Sequence, residues 1–309
     1  MGGFAYLLGR KEDDLLKLIT DADQTASKAQ VVDKIFAGVR LDDVQLKRIG
    51  GASFAHCTFA NVGFKDITLD QVNFEDCAFI GCYFRKSRWT GCRFQSCRFI
   101  DSQIQRVEPM NCTFFYTRFL DCFIPFNRVK SCLPSQPNLR KDLAHNLALE
   151  AAKAGYAEEA RKFRWCELEA LETHLKNAIR QDELWYQTHY ATIGRRLGAL
   201  TTLTASVVNR CLWGYGDKAH VLLINLGIIV FLIFPFAFYL LREDLGKPTG
   251  VIGLSDYIYL SVEHILMPTI ASSVNPHSWA LWMTSLEGFV GIVIAGLFVS
   301  YLFQWIVRR

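Results

Sequence analysis

The chain has 309 residues, a formal net charge of +4 and a slightly positive mean hydropathy of +0.14. That length leaves room for two or three domains, and the hydropathy speaks against a uniform soluble globule. The apolar excess is concentrated near the C-terminus, so soluble and membrane parts are expected in one chain.

The first residues, MGGFAYLLGRKEDDLLK, have too short an apolar stretch for a secretory signal and turn acidic at once. Tyr6 stands where a myristoylation signal needs Ser or Thr. The part of the chain before the apolar runs is therefore expected in the cytosol. Lys11 to Phe36 reads as helical, and residues 1–38 are expected to cap the open end of the domain that follows.

Eight of the ten cysteines, Cys57, Cys77, Cys82, Cys92, Cys97, Cys112, Cys122 and Cys132, are separated by multiples of five. Two residues after such positions come large apolar side chains, among them Phe54, Phe59, Phe74, Phe79, Trp89, Phe94, Phe99 and Phe119. Neither a helix nor a flat strand has that period, so the segment is a repeat architecture. Units such as CAFIG, CYFRK, CRFQS and CRFID resemble the pentapeptide-repeat family over about residues 49–133. The resemblance implies an α+β multidomain protein whose residues 39–134 form a right-handed quadrilateral β-helix with four pentapeptides per coil.

A twenty-residue period then stacks Phe54, Phe74, Phe94 and Phe114 on one face and Phe59, Phe79, Phe99 and Phe119 on the next. Phe64, Phe84, Ile104 and Ile124 take a third face, and Leu69, Trp89, Pro109 and Val129 a less regular fourth. The cysteines read as small interior residues rather than metal ligands, because zinc-type spacing is missing and free Cys is a buried residue type. Reduced, buried thiols suit a cytosolic setting. Family members that imitate DNA need an acidic surface. Here residues 51–132 carry more basic than acidic side chains, including Arg93, Arg98 and Arg118. DNA mimicry and nucleic-acid partners are not expected, and the basic stripe reads as a solvated face.

Residues 135–182 have helical periodicity broken at Gly155 and read as a helix-turn-helix resembling one tetratricopeptide unit. Such a unit cannot bury its own face, so it is expected against the β-helix end or against a neighbouring subunit. Residues 183–220 are amphipathic and lightly charged, which fits either a membrane-surface helix or a soluble one. Within them WGYGD, Trp213 to Asp217, looks like a potassium filter but precedes the first span with no pore helix ahead of it. It reads as a tight turn.

Val221 to Leu241 is free of charge and corresponds to about 31 Å of helix, enough to span a bilayer. A second apolar run covers Trp279 to Val307, broken by Glu287 and Gln304. Arg195, Arg196, Arg210 and Lys218 precede the first run, and Arg308 and Arg309 follow the second. The positive-inside rule then puts both termini in the cytoplasm and the protein in the plasma (inner) membrane. Trp213, Tyr215, Trp279, Trp282, Tyr301 and Trp305 fall at the expected interfacial belts.

Between the runs, Ser255 to Ile265 reads as a short helix with Ser255 as its N-cap, followed by an irregular stretch. A re-entrant loop over about 251–278 is expected, tolerated at membrane depth where protein or water surrounds it. DYIYLSVEH and SLEGFVGIVIAGLFVSYL resemble the pore helix and inner helix of the two-transmembrane pore module of the potassium-channel superfamily, over residues 221–309. The fusion of this module to pentapeptide repeats is also a bacterial arrangement. The resemblance implies a homo-oligomeric ion channel, tetrameric, in the lipid bilayer, with ions as its cargo and no cofactor.

At the filter position stands LMPTIAS, Leu266 to Ser272, without a glycine. The potassium filter needs unusual backbone conformations that Gly permits. The expectation is a pore without potassium-type selection: weakly selective, wider, anion-permeable or closed. Candidate pore and selectivity residues are Glu263, His264, Met267, Pro268, Thr269, Ile270, Ala271, Ser272 and Ser273. Candidate lining or gate residues are Glu287, Gly291, Gly296, Ser300 and Gln304. Glu263 would form a cation-attracting ring or serve as a buried partner. Glu287 is costly in a span unless paired, and hydrogen bonding to His264 or the loop is its expected role. Gly288, Gly291 and Gly296 allow close helix packing. A water-filled path would use Thr269, Ser272, Ser273, Ser300 and Gln304, whereas Met267, Ile270 and Phe298 would seal a non-conducting scaffold. No Walker loop, GxSxG, HExxH or zinc-spaced cluster is present, so an enzyme is not expected. A cytosolic protein partner of the β-helix is an open expectation.

Overall fold

The computed structural model describes residues 30–38, 48–216, 219–245, 253–266 and 277–307. The chain divides into two compact units, Met1–Leu200 and Thr201–Arg309. The first holds a β-solenoid of about four turns with a five-residue repeat, built among the described residues from fourteen three-residue strands, β1 to β14. These are β1 Gln30–Val32, β2 Ile35–Ala37, β3 Arg48–Gly50, β4 Ser53–Ala55, β5 Thr58–Ala60, β6 Thr68–Asp70 and β7 Asn73–Glu75. They continue with β8 Ala78–Ile80, β9 Arg88–Thr90, β10 Arg93–Gln95, β11 Arg98–Ile100, β12 Glu108–Met110, β13 Thr113–Phe115 and β14 Arg118–Leu120.

Strands pair in parallel with every third strand along the chain. They form the faces β1-β4-β7-β10-β13, β2-β5-β8-β11-β14 and β3-β6-β9-β12. The coil period is twenty residues, as in Phe74↔Phe94↔Phe114, so like residues face like. Each three-residue strand has room for one inward side chain, and an aromatic residue takes it in most strands, with Val31, Ile49, Leu69 and Pro109 in the others. Phe59, Phe79, Phe99 and Phe119 stack with centroids 4.7–5.0 Å apart and planes within 9°. Neighbouring columns meet edge-on, as Phe74 and Phe79 do at 76°. Both geometries suit the aromatic quadrupole.

The residue before most of the inward-facing small side chains turns the corner in the left-handed region. His56, Asn61, Asp76, Asp101, Asn111 and Asp121 have φ of 48–54°, and Gly81 and Gly91 have φ of 62°. Asn, Asp and Gly tolerate this conformation. The small positions themselves hold more than apolar volume. Cys77 Sγ lies 3.4 Å from the Phe54 carbonyl and 3.3 Å from that of Glu75. Ser102 and Thr117 replace cysteine and make the same two contacts, to the coil before and to the residue two positions earlier. Where Cys, Ser or Thr stands here its donor reaches a carbonyl, which the reading of cysteine as mere interior filler had left out, while Ala52, Val62, Val72 and Val107 fill the same position without a donor.

Three sequence expectations change. Lys11 to Phe36 was expected to be helical, yet Gln30–Val32 and Ile35–Ala37 are strands that open the solenoid, because Val31 and Phe36 complete its inward columns. Their register partners lie 23 residues ahead (53 − 30 and 58 − 35) rather than twenty, so this coil has three extra residues before β3. Residues 1–29 of the expected N-terminal cap lie outside the described residues. The face of Phe64, Phe84 and Ile104 keeps its stack, Phe64 on Phe84 at 4.7 Å, but its strands shrink to single parallel bridges, Gly63↔Tyr83↔Gln103, followed by turns in which Ser87 N–H donates to Phe84 and Val107 N–H to Ile104. Val129, expected in the fourth β column, is buried but sits in the helical turn Phe126–Val129.

A helical hairpin ends the solenoid. Helices Pro137–Lys153 and Ala157–Arg180 are joined through Gly155 at φ 81°. Leu143, Leu147, Ala151 and Phe163 join the solenoid core. Asn146 both accepts from the Phe119 N–H at 2.8 Å and donates to the Phe119 carbonyl at 2.9 Å, as a further strand would. Glu150 accepts the Asp121 N–H at 2.7 Å, and Glu159 the Phe126 N–H at 2.6 Å. Of the two expected locations for this hairpin, the solenoid end is the one observed, and it covers an edge that would otherwise template pairing. The segments Leu184–His189 and Ile193–Trp213 follow, the second helix crossing the division between units. Of WGYGD, Trp213 to Gly216 form a helix end, with Asp217 outside the described residues: Gly214 and Tyr215 are left-handed, with φ of 60° and 58°, and the Tyr215 hydroxyl lies 2.9 Å from Ser206.

Phe79 is fully buried between Phe59 and Phe99. Phe79→Ala should cost about 3–5 kcal/mol in thermal or denaturant unfolding of the solenoid. Burial pushes the Cys82 thiol from its ordinary 9.0 up to about 12 and the Cys122 thiol to about 11. The folded state thus holds protons that the unfolded chain releases, so stability is full below pH 9 and falls as pH rises from 9 towards 12. Tm measured from pH 7 to 11 should decline above 9, and less steeply in a Cys82→Ala, Cys122→Ala variant.

Candidate functional site

The second unit contains two helices long and apolar enough to cross a membrane, His220–Leu240 and Ser278–Phe303. Only 28% and 22% of their most apolar windows is buried within the chain, so most of their surface faces outward. Phe231, Leu232, Phe236, Ile292, Val299 and Phe303 are exposed. The first helix contains a π-helical turn, Ile229–Ile233, just ahead of Pro235. A widened turn accommodates a proline that can donate no backbone hydrogen bond.

A short helix, Leu254–Leu266, packs against both apolar helices. It begins one residue before the expected N-cap Ser255, because the Asp256 carboxylate accepts the Gly253 N–H at 2.8 Å and closes the first turn from there. Phe238, Leu245, Tyr257, Leu260 and Ala280 form the small core between these elements. At that contact lies the polar cluster of the unit. Glu287 is fully buried, and Ser261 Oγ donates to its Oε1. Its Oε2 has no hydrogen-bond partner among the described residues. His264 Nδ1 is 3.9 Å from that oxygen and 2.8 Å from the Leu260 carbonyl. Because a carbonyl only accepts, Nδ1 carries the proton and donates to Leu260. The His264 ring also lies 6.0 Å from that of Phe238.

Gly291 sits one turn further along the long helix. A Cβ there would be 3.3 Å from the Ile265 carbonyl, so the missing side chain is what lets the two helices approach. Of the sequence candidates, the fold brings together His264, Glu287 and Gly291. Glu287 is inside the unit, its contacts made to the short helix. Glu263 is half-buried on that helix, Gly296 has open space where a Cβ would stand, and Ser300 is exposed. Gln304 lies in the long helix, and its side chain is outside the described part, as are Met267, Pro268, Thr269, Ile270, Ala271, Ser272 and Ser273. Of the expected re-entrant loop over 251–278, residues 251–252 and 267–276 lie outside the described residues. Ser261 was missed in the sequence, where nothing distinguishes it from other hydroxyls until the carboxylate 26 residues later folds onto it. Among the described residues no three His, Cys, Asp or Glu side chains form a metal-binding group.

No protein-family model and no curated protein matches the chain. Among solved structures, full-length QnrB1, a plasmid-mediated fluoroquinolone resistance protein, is 17% identical with a TM-score of 0.15. That match covers 28% of this chain and 47% of QnrB1, so the chain spans about half of that protein's length. A trypsin-treated variant of QnrB1 is 11% identical with a TM-score of 0.09, covering 31% of this chain and 82% of that one. The solenoid assignment rests on its own coil register.

The close approach at Gly291 yields a paired test. Gly291→Val should destabilise the detergent-solubilised protein by about 1–3 kcal/mol. Gly296→Val, with open space at its Cβ, should leave the thermal transition nearly unchanged.

Proposed function

We propose that the chain is the subunit of an oligomeric membrane ion channel of weak or non-potassium-type selectivity, its solenoid lying in the cytosol as a sensing or docking domain. The observation that carries this reading is the short helix Leu254–Leu266, seated against both apolar helices through the buried Ser261–Glu287 contact. A short helix propped between two spans is the arrangement that aims a loop at an axis. Two helices enclose nothing by themselves, and their outward apolar faces fit lipid and neighbouring copies. A buried carboxylate in such a setting is expensive, so the contact holds the short helix in one position.

In this reading Glu263 contributes a ring of carboxylates near the ion path, and 267–273 form the narrow part. Both termini are cytoplasmic, the number of subunits is four by resemblance, and no catalytic role is assigned. The lack of glycine in Leu266 to Ser272 favours a second reading, a membrane-anchored scaffold whose pore is sealed.

Purified protein in planar bilayers under an asymmetric salt gradient tests the choice. The channel reading expects discrete openings whose reversal potential shows cation preference, and Glu263→Gln should move that potential towards zero. Silence from a confirmed, correctly inserted oligomer would replace this reading with the scaffold.

A further inference from the structure

One outward face of the solenoid differs from the other strand faces. On β2, β5, β8, β11 and β14 the residue after each buried ring is Ala37, Ala60, Ile80, Ile100 and Leu120, in direct register from coil to coil. Ile80 and Leu120 are 40% and 39% exposed, so this is an apolar column on the surface. Beside it stand Arg98 and Arg118, register partners on adjacent coils. On its other side, at the corner, stand Asp101 and Asp121.

Like charges are thus stacked on like, at a coil spacing of about 4.8 Å. Such neighbours are destabilising unless something compensates them. Among the described residues none of these four forms an ion pair, whereas Arg48, Arg88 and Arg128 each meet a carboxylate. Arginine and aspartate columns run on either side of the apolar column, three residues or about 10 Å apart; from the hairpin, Lys153 and Glu150 share a cavity with Asp101 and Asp121, and Asp142 shares one with Arg118.

We propose that this face pairs with the same face of a second copy, side by side and in parallel. A two-fold axis along the coil direction exchanges left and right but preserves height. It lays the Arg98 stem over Ile100 of the second copy with its guanidinium at Asp101, and does the same for Arg118, Leu120 and Asp121 one coil on. Both like-charge columns are compensated, and the apolar column is covered by arginine stems, which bury readily. The face spans four coil steps and about five residues, on the order of 300 Å² per copy, less than the roughly 800 Å² of a stable interface. The pairing therefore rests on the oligomer proposed above, whose membrane unit holds the copies at high effective concentration; being two-fold, it joins four solenoids as two dimers and not as a head-to-tail ring.

The test uses the full chain in a Cys166→Ser, Cys211→Ser background, with Ala78→Cys on one tagged population and Ile80→Cys on another, co-expressed. The parallel two-fold sets 78 of one copy against 80 of the other, so mild oxidation should link the mixed pair and neither population to itself. Arg118→Asp on one population should lower the yield about fivefold, and Asp121→Arg on the other should restore it. Absence of the mixed link in an oligomer confirmed by native mass spectrometry, indifference to charge reversal, or self-linking of Ile80→Cys would each overturn the pairing. A monomer by mass spectrometry would remove the oligomer reading as well. A linked oligomer that stays electrically silent would leave the pairing standing and remove conduction alone.

Discussion

Stacking of identical positions at the coil spacing is the constraint on which the soluble unit depends. Parallel ladders with a period of twenty leave each residue opposite its own kind, so a position must suit itself above and below. Flat rings do: Phe59, Phe79, Phe99 and Phe119 repeat at about the backbone spacing and stack along the interior. Small donors also do, because groups such as Cys77 Sγ and Ser102 Oγ reach carbonyls of their own coil and of the coil before. Charged residues do not, and they are confined to the outward columns. There the fold asks little of the side chain, and the surface is free to specialise.

A ladder of this kind has an exposed end, and the helical hairpin supplies what the next coil would have supplied. Asn146 reproduces both hydrogen bonds of a strand residue at Phe119, while Glu150 and Glu159 take up two further N–H groups. The apolar contacts of Leu143, Leu147 and Phe163 continue the aromatic core into the helices. The cap thus belongs to the solenoid energetically, although its sequence has a different period. In the second unit a single buried carboxylate has the comparable role. Glu287 sits among apolar helices with one carboxylate oxygen held by Ser261, which ties the short helix to the long one, and Gly291 allows the approach.

Much of this was legible in the order of residues. The five-residue period is carried by Cys and Phe at fixed offsets, and the two long apolar runs announce themselves by composition. The helical hairpin shows as a change of period with a glycine at its break. What escaped was whatever depends on partners distant in sequence. Gln30–Val32 and Ile35–Ala37 lack the cysteine signature and follow an amphipathic stretch, so they read as helix, yet the inward columns needed Val31 and Phe36. The turns that follow the single bridges near Phe84 and Ile104 are set by four-residue hydrogen bonds that no pentapeptide pattern displays. Ser261 looked like any serine.

By itself the sequence determined the repeat, its period, the identity of the inward columns and the presence of two spans' worth of apolar helix. These are one-dimensional properties: each follows from the spacing or the mean polarity of neighbouring residues. Only the tertiary structure decided which charges stack on which and which hydroxyl meets the buried carboxylate. It also decided where a missing Cβ brings two helices together and how the ladder is closed. The physical reason is the same in each case. Hydrogen bonds, ion pairs and close packing act over a few ångströms, between residues that folding alone makes neighbours.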